Sequence, residues 1–268
     1  MSSPLVVVTN DDGVSSPGIQ VMASTLAKEF DVIVAAPADD RSGAGTGVGG
    51  IDFERGVALQ PVKIDGVMAA YSVDGPPGLA VTAAALGAFG RMPDLVASGI
   101  NAGINTGHSI IHSGTVGAAL TARTFKMKGL AVSLGQSDPW HWETAAIYAG
   151  RVARWLIDWA KGPYVMNVNV PALPADEVKG VHWADLDEFG YFRVATADIP
   201  RERLLFEVGP RHADSDPGCD TILCSDGYVT LTPLNTVEPA PFPDIPADIL
   251  AGVPTVVSGD RASGTSPR

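Results

Sequence analysis

Leu5-Val-Val-Val-Thr-Asn-Asp-Asp-Gly13 is a continuous apolar run that stops abruptly at polar turn residues. An unbroken run of branched residues with no polar alternation describes a strand buried on both faces, as in a parallel sheet. The next stretch is helical in pattern: Pro17 to Phe30 sets Ile19, Met22, Ala23 and Leu26 on one face. Strand texture returns at Asp31–Ala36, Leu95–Ser98, Leu130–Leu134 and Tyr164–Val170. Helical texture fills the gaps at Pro77–Phe89 and Val116–Lys126. Asp138 offers an N-cap and Pro139 a first helical position for a helix running to about Ala160, with Ala145, Ala149, Val152, Leu156 and Trp159 as its buried stripe. Strands that alternate with helices make parallel crossovers, and these are right-handed. The pattern predicts an α/β fold: a doubly wound, Rossmann-like three-layer sandwich.

After Pro171 the texture changes. Val181–Leu186, Tyr191–Ala195, Arg203–Val208 and Tyr228–Thr232 read as strands without helices between them, and Phe189-Gly190 suits a hairpin turn. The expected organisation is one domain over 1–257. Its core covers about 1–175 and an antiparallel oligomerisation arm about 176–235, while the small polar residues 258–268 form a disordered tail.

Composition narrows the function. The 268 residues hold 18 Lys+Arg and 30 Asp+Glu, a net charge of −12. That acidity excludes a nucleic-acid duplex as partner and disfavours a basic membrane-binding mode. It leaves small anionic substrates open, because a bound metal ion can invert the local field. With 46% hydrophobic and 18% charged residues the chain can bury a large core. Two cysteines, Cys219 and Cys224, are too few for a disulfide framework. No apolar run approaches the roughly 20 residues of a membrane span, and the N-terminus lacks a signal-peptide pattern. A cytoplasmic location is the expectation.

Four segments carry chemistry. Asp11 and Asp12 follow the first strand, where open α/β sheets bind ligands. Two adjacent carboxylates repel by about 4 kcal/mol at roughly 4 Å and an effective dielectric of 20. A hard dication relieves that repulsion, and a solvated turn is the plainer alternative. The second segment, Pro37-Ala-Asp-Asp-Arg-Ser-Gly43, follows the second strand and offers the Ser42 hydroxyl. It leads into a glycine-rich run to Gly50, read as an active-site flap or a plain loop. Gly45, Gly47 and Gly50 spell a dinucleotide fingerprint without the strand and helix that motif requires. The third segment, Ser98-Gly-Ile-Asn101, brings the Asn101 side-chain oxygen to the same rim. The fourth, His112-Ser-Gly-Thr-Val-Gly-Ala-Ala119, opens a helix with a hydroxyl and free N–H groups, either a phosphate seat or a simple N-cap. His108 and His112 stand four apart, but Ser109 occupies the place of the zinc-protease glutamate.

Together these segments resemble the SurE family of stationary-phase survival proteins. The resemblance rests on Thr9-Asn-Asp-Asp-Gly13 with Gly18-Ile19, Ala36-Pro37 with Arg41-Ser-Gly43, Ser98 to Asn101, Ser113 to Ala119, Asn167-Val-Asn-Val-Pro171 and Gly227 to Pro233. It implies a phosphatase that hydrolyses nucleoside 5′- or 3′-monophosphates by attack of a metal-activated water, with Asp11 and Asp12 as catalytic residues. It implies one Mg²⁺ or Mn²⁺ per subunit, held by Asp11, Asp12, Ser42 and Asn101. Asn101, Ser113, Gly114 and Thr115 would receive the substrate phosphate, and Asn10, Gly43, Asn105 and His108 would line the substrate pocket. A homodimer or homotetramer is also implied. The chain departs from the family pattern at His108-Ser109, Asp74-Gly-Pro-Pro77 and the glycine-rich 43–50 segment. These departures leave two further readings: a phosphatase specialised for a non-nucleotide ester, or a catalytically silent phosphate-binding module.

Overall fold

The computed structural model describes residues 3–190, 194–198, 205–208 and 216–236. Residues 1–236 make one compact unit. The expected domain limit at 257 and the tail 258–268 lie outside the described residues.

In chain order the elements are β1 (Leu5–Thr9), α1 (Pro17–Leu26), β2 (Asp31–Pro37), β3 (Leu59–Pro61), β4 (Ala69–Val73), α2 (Pro77–Ala85) and β5 (Leu95–Ala102). A 3-10 turn (His108–His112) precedes α3 (Gly114–Thr124), β6 (Lys128–Leu134), α4 (Trp142–Asp158) and β7 (Val165–Val170). Then come β8 (Val181–Trp183), β9 (Val194–Asp198), β10 (Leu205–Val208), α5 (Asp220–Ser225) and β11 (Val229–Leu234). One nine-stranded sheet runs β3-β4-β2-β1-β5-β6-β7-β11-β8. From β4 to β7 neighbouring strands are parallel.

The three layers follow from the pleat. Successive side chains of β1 point to opposite faces. Val6 and Val8 join Ile19, Met22 and Leu26 of α1 and Ala145, Ala149, Val152 and Leu156 of α4. Leu5 and Val7 join Ala80 and Ala84 of α2, and Val96 of β5 meets Val81 of α2 and Ala118 and Ala122 of α3. Val6, Val7 and Val8 are fully buried, each stabilising the fold by about 1.5–3 kcal/mol relative to exposure. The chain runs outward from β1 to β2 and β4 on one side and to β5, β6 and β7 on the other. The strand order therefore reverses beside β1, and the carboxyl ends of β1 and β5 flank the crevice.

Several boundaries differ from the sequence reading. The first helix ends at Leu26, and Phe30 joins the same core from the turn that follows. The helix expected to reach Phe89 ends at Ala85. The long helix starts at Trp142 with His141 as its N-cap, so Asp138 and Pro139 belong to the preceding turn. Trp159 is 75% exposed, because it lies past the last helical residue and leaves the buried stripe. The late strands divide in two. β9 and β10 form the antiparallel ribbon, whereas β11 pairs antiparallel with β7 and parallel with β8, extending the main sheet. Phe189-Gly190 docks on the 3-10 turn, with the Ser109 N–H donating to the Phe189 carbonyl at 3.2 Å, and the first residues of the strand expected after it, 191–193, lie outside the described residues.

Candidate active site

Asp11 sits one residue beyond Asn10, at the end of β1, and is 3% exposed. Its carboxylate lies against the first turn of α3. The Thr115 hydroxyl donates to Asp11 Oδ1 and lies 3.3 Å from Asn101 Oδ1. The Thr115 hydroxyl, on α3, thus stands between the ends of β1 and β5, its proton going to Asp11. The N–H groups of Gly114 and Thr115 also donate to the Asp11 carboxylate. Burial pushes that carboxyl above its ordinary pKa, and these donors oppose the rise. Gly114 is required here: a Cβ on it would stand 2.7 Å from both Asp11 Cβ and Asp11 Oδ2.

Asp12 is half-buried and accepts from the Ala102 N–H. Its carboxyl is pushed up to about 6, first by burial, then by the charge of Asp11 and, more weakly, of Asp40. The second loop closes over this pair. The Arg41 N–H donates to the Asp11 carbonyl at 2.7 Å. The Ser42 hydroxyl and N–H both donate to Asp40 Oδ1, at 2.6 and 2.7 Å, and hold the Asp40 carboxyl below its usual range. Ser42 is exposed at the mouth, with its oxygen lone pairs still available. Asn101 lies near the end of β5, just past a register shift between Gly99 and Asn101. Such a bulge re-aims a side chain. Its Nδ2 donates to the Gly103 carbonyl at 2.8 Å, which leaves Oδ1 facing Thr115.

The remaining expected residues take varied places. Ser113 is the N-cap of α3, its Oγ accepting from the Val116 N–H at 3.2 Å. Asn10 Nδ2 donates to the Gly13 carbonyl and Ser16 Oγ at 3.0 and 2.7 Å. Asn10 Oδ1 is buried without a partner among the described residues, as are Thr9 Oγ1 and Ser98 Oγ on adjacent strands. Gly43 is exposed, with open space where a side chain would stand. Asn105 ties the loop to the sheet: its Nδ2 donates to Ser133 Oγ at 2.8 Å, and its carbonyl accepts from Asn167 and Asn169. His108 is exposed, with Nδ1 3.1 Å from the Glu188 carbonyl. The glycine-rich run touches α2 and α3 by its backbone, with Gly45 buried and residues 46–50 exposed. The Gly45 carbonyl lies 2.1 Å from where a Cβ on Gly117 would be, and that of Gly47 lies 2.8 Å from one on Gly78.

Two participants escaped the sequence reading. Asp40 was visible in principle, as the first residue of an Asp-x-Ser turn. Asp220 was not. Fully buried in α5, it accepts from the Gly107 N–H at 3.0 and 3.1 Å and from the Asp187 N–H at 3.0 Å, across more than a hundred residues in the first case.

A cleft of about 480 Å³ opens beside Ala102 and Gly103, along the ends of β5, β6 and β7.

The family model described as "Survival protein SurE" matches residues 6–192. The chain belongs to the SurE family. Among SurE relatives, the 5′-nucleotidase SurE of Histophilus somni is 36% identical over 239 residues, covering 86% of this chain and 92% of that protein. The 5′-nucleotidase SurE of Legionella pneumophila strain Lens is 35% identical over 238 residues, covering 86% and 90%. The crystal structure of the SurE protein from Aquifex aeolicus superposes with a TM-score of 0.72 at 29% identity, covering 87% of this chain and 93% of that one. The mixed sheet with helices on both faces is thus the SurE fold. The expected site residues Asp11, Asp12, Ser42, Asn101 and Ser113 to Thr115 fall within the matched span.

Proposed function

We propose that this chain is a divalent-metal-dependent phosphatase that hydrolyses nucleoside 5′- or 3′-monophosphates. The observation that carries the reading is the contact chain Asp11–Thr115–Asn101, with Asp12 one residue away. It unites two carboxylates, an amide oxygen and a helix N-terminus at the sheet's switch point. Relatives named 5′-nucleotidase over nearly their full length support the substrate class.

The donor set fits a hard cation. Asp11, Asp12, Ser42 and Asn101 all offer oxygen. Neither carboxylate has a salt-bridge partner among the described residues, and Asp12 is lifted first by burial and then by its acidic neighbours. A buried and a half-buried carboxylate side by side are an unfavourable arrangement that Mg²⁺ or Mn²⁺, one per subunit, would relieve. When bound, such an ion supplies polarisation of a phosphoryl oxygen and a lowered pKa for a coordinated water. Asp12, more open than Asp11, orients the attacking water and accepts its proton at the carboxylate. Thr115 and the first N–H groups of α3 hold Asp11 in place. The Ser113 hydroxyl proton and the α3 dipole favour negative charge on the phosphate.

Both cysteines are buried and neither is in a disulfide among the described residues, which suits a cytoplasmic protein. Among the described residues no helix is long and apolar enough to cross a membrane. The exposed edge strand β8, with Val181 and Trp183 open to solvent, supports a homodimer or homotetramer, to be measured by light scattering. The decisive experiment is phosphate release from 5′-AMP and 3′-AMP with Mn²⁺, with Mg²⁺ and with EDTA. Release that depends on the metal and is lost in Asp12→Asn is the expected result. Binding of nucleotide without release from any ester would instead favour the silent module.

A further inference from the structure

We infer that the cleft beside Ala102 is the leaving-group subsite, and that it takes the nucleoside half of the substrate. This deepens the phosphatase reading and rests on it for the identity of the reaction.

Position is the first ground. Asn101 Oδ1 faces the Asp11–Thr115 pair. The next residue, Ala102, both donates its N–H to Asp12 and lines the cleft. A phosphate held at the Asp pair therefore has the cleft beside it, along the ends of β6 and β7.

Size is the second ground. A phosphoryl group replaces only a few waters, each with a share of about 30 Å³ in the liquid. The cleft, about 480 Å³, has room for several times that and falls in the range of about 300–1,000 Å³ typical of small-molecule sites.

Chemistry is the third. Ile104 and Leu173 give apolar walls, while Gln136 and Asp226 offer hydrogen-bonding groups at the edge. Apolar faces between polar edges match a heterocyclic base, which stacks through its faces and hydrogen-bonds through its rim. Lys179 also lines the cleft, its ammonium 5.8 Å from the centre of the Tyr228 ring. Its N–H donates to the Gly227 carbonyl at 3.0 Å, so the segments from β7 to β8 and from α5 to β11 are clamped into one wall.

The test compares Leu173→Trp, which fills the cleft, and Gln136→Ala, which removes an exposed edge amide, with the wild type. Activity is read on 5′-AMP and on glycerol 2-phosphate, whose leaving group is smaller than a nucleoside. Contacts in such pockets are worth about 10–200-fold in discrimination. The expected result is a fall of about tenfold or more in kcat/KM for 5′-AMP with Leu173→Trp, a smaller fall with Gln136→Ala, and a clearly smaller change for glycerol 2-phosphate with either variant. Equilibrium dialysis with adenosine needs no turnover: the wild type should bind it, and Leu173→Trp should weaken binding to the same degree. Equal losses on both esters, unchanged adenosine affinity in Leu173→Trp, or no adenosine binding by the wild type would each overturn the assignment. A wild type that binds adenosine but releases phosphate from no ester would defeat the phosphatase reading and leave the subsite standing.

Discussion

Replacing Gly114 by alanine sets two physical effects against each other at one atom. Gly114 opens α3, and alanine is the better helix former by up to about 1 kcal/mol. Propensity alone therefore predicts a gain. The added Cβ, however, would stand 2.7 Å from Asp11 Cβ, 2.7 Å from Oδ2 and 3.0 Å from Cγ. Overpacking of this kind costs about 1–3 kcal/mol, so the net expectation is a loss of about 1–2 kcal/mol. The function should suffer more than the stability. Asp11 must move off its Thr115 and α3 donors, and a displacement of about 1 Å at a reacting centre can cost on the order of 100-fold in rate. Urea unfolding with EDTA measures the first effect, and Mn²⁺-dependent phosphate release from 5′-AMP the second. A double-mutant cycle isolates the clash. Asp11→Ala removes Oδ2 and Cγ but keeps Cβ, so Gly114→Ala should cost less in that background without becoming favourable. Asp11→Gly removes all three contacts, and there Gly114→Ala should become neutral or stabilising. The reasoning is refuted if Gly114→Ala alone stabilises the chain and leaves phosphate release at the wild-type rate.

Three further outcomes follow from the same geometry. Thr115→Val keeps the shape but removes the hydroxyl that serves Asp11 and Asn101; stability should fall by about 1.5–3 kcal/mol, the range for a hydrogen bond to a charged group, and unchanged urea and Mn²⁺ midpoints would contradict the contact. In the cation-free chain Asp12 holds its proton up to about pH 6, against an unfolded value near 3.9. Between those values the folded state binds more protons, so stability relative to Asp12→Asn should decline by about 1–2 kcal/mol, discounted for partial exposure, as pH rises from about 4 to about 6, and level off above. Urea midpoints of both proteins in EDTA check the sign, and a rise across that window would disprove it. Asp220→Ala strands the N–H groups of Gly107 and Asp187 in the interior; a loss of about 2–3 kcal/mol is expected, read as a lowered thermal midpoint.

Much of this protein is local information. The unbroken branched runs at Leu5–Val8 and Leu130–Leu134 specify strands buried on both faces. Their alternation with amphipathic segments leaves few arrangements besides a doubly wound sheet. Asp11 and Asp12 could be selected because like charges placed side by side after such a strand demand an explanation. The helix ends were less legible: nothing in Asp138-Pro139 shows that the first turn waits for Trp142, and Trp159 continues a periodicity the helix itself does not.

Tertiary structure decided what lies far apart in the chain. That Thr115 bonds Asp11, that the Gly45 backbone wedges against Gly117 and that Asp220 holds Gly107 are meetings across loops of roughly seventy to more than a hundred residues. The membership of β8 and β11 in the main sheet, and the cleft beside Ala102, are of the same kind. Period and composition report each residue's own preference for burial and backbone geometry. Which donor meets which acceptor depends on how the packed layers bring distant segments together, and that follows from the summed packing of the whole core.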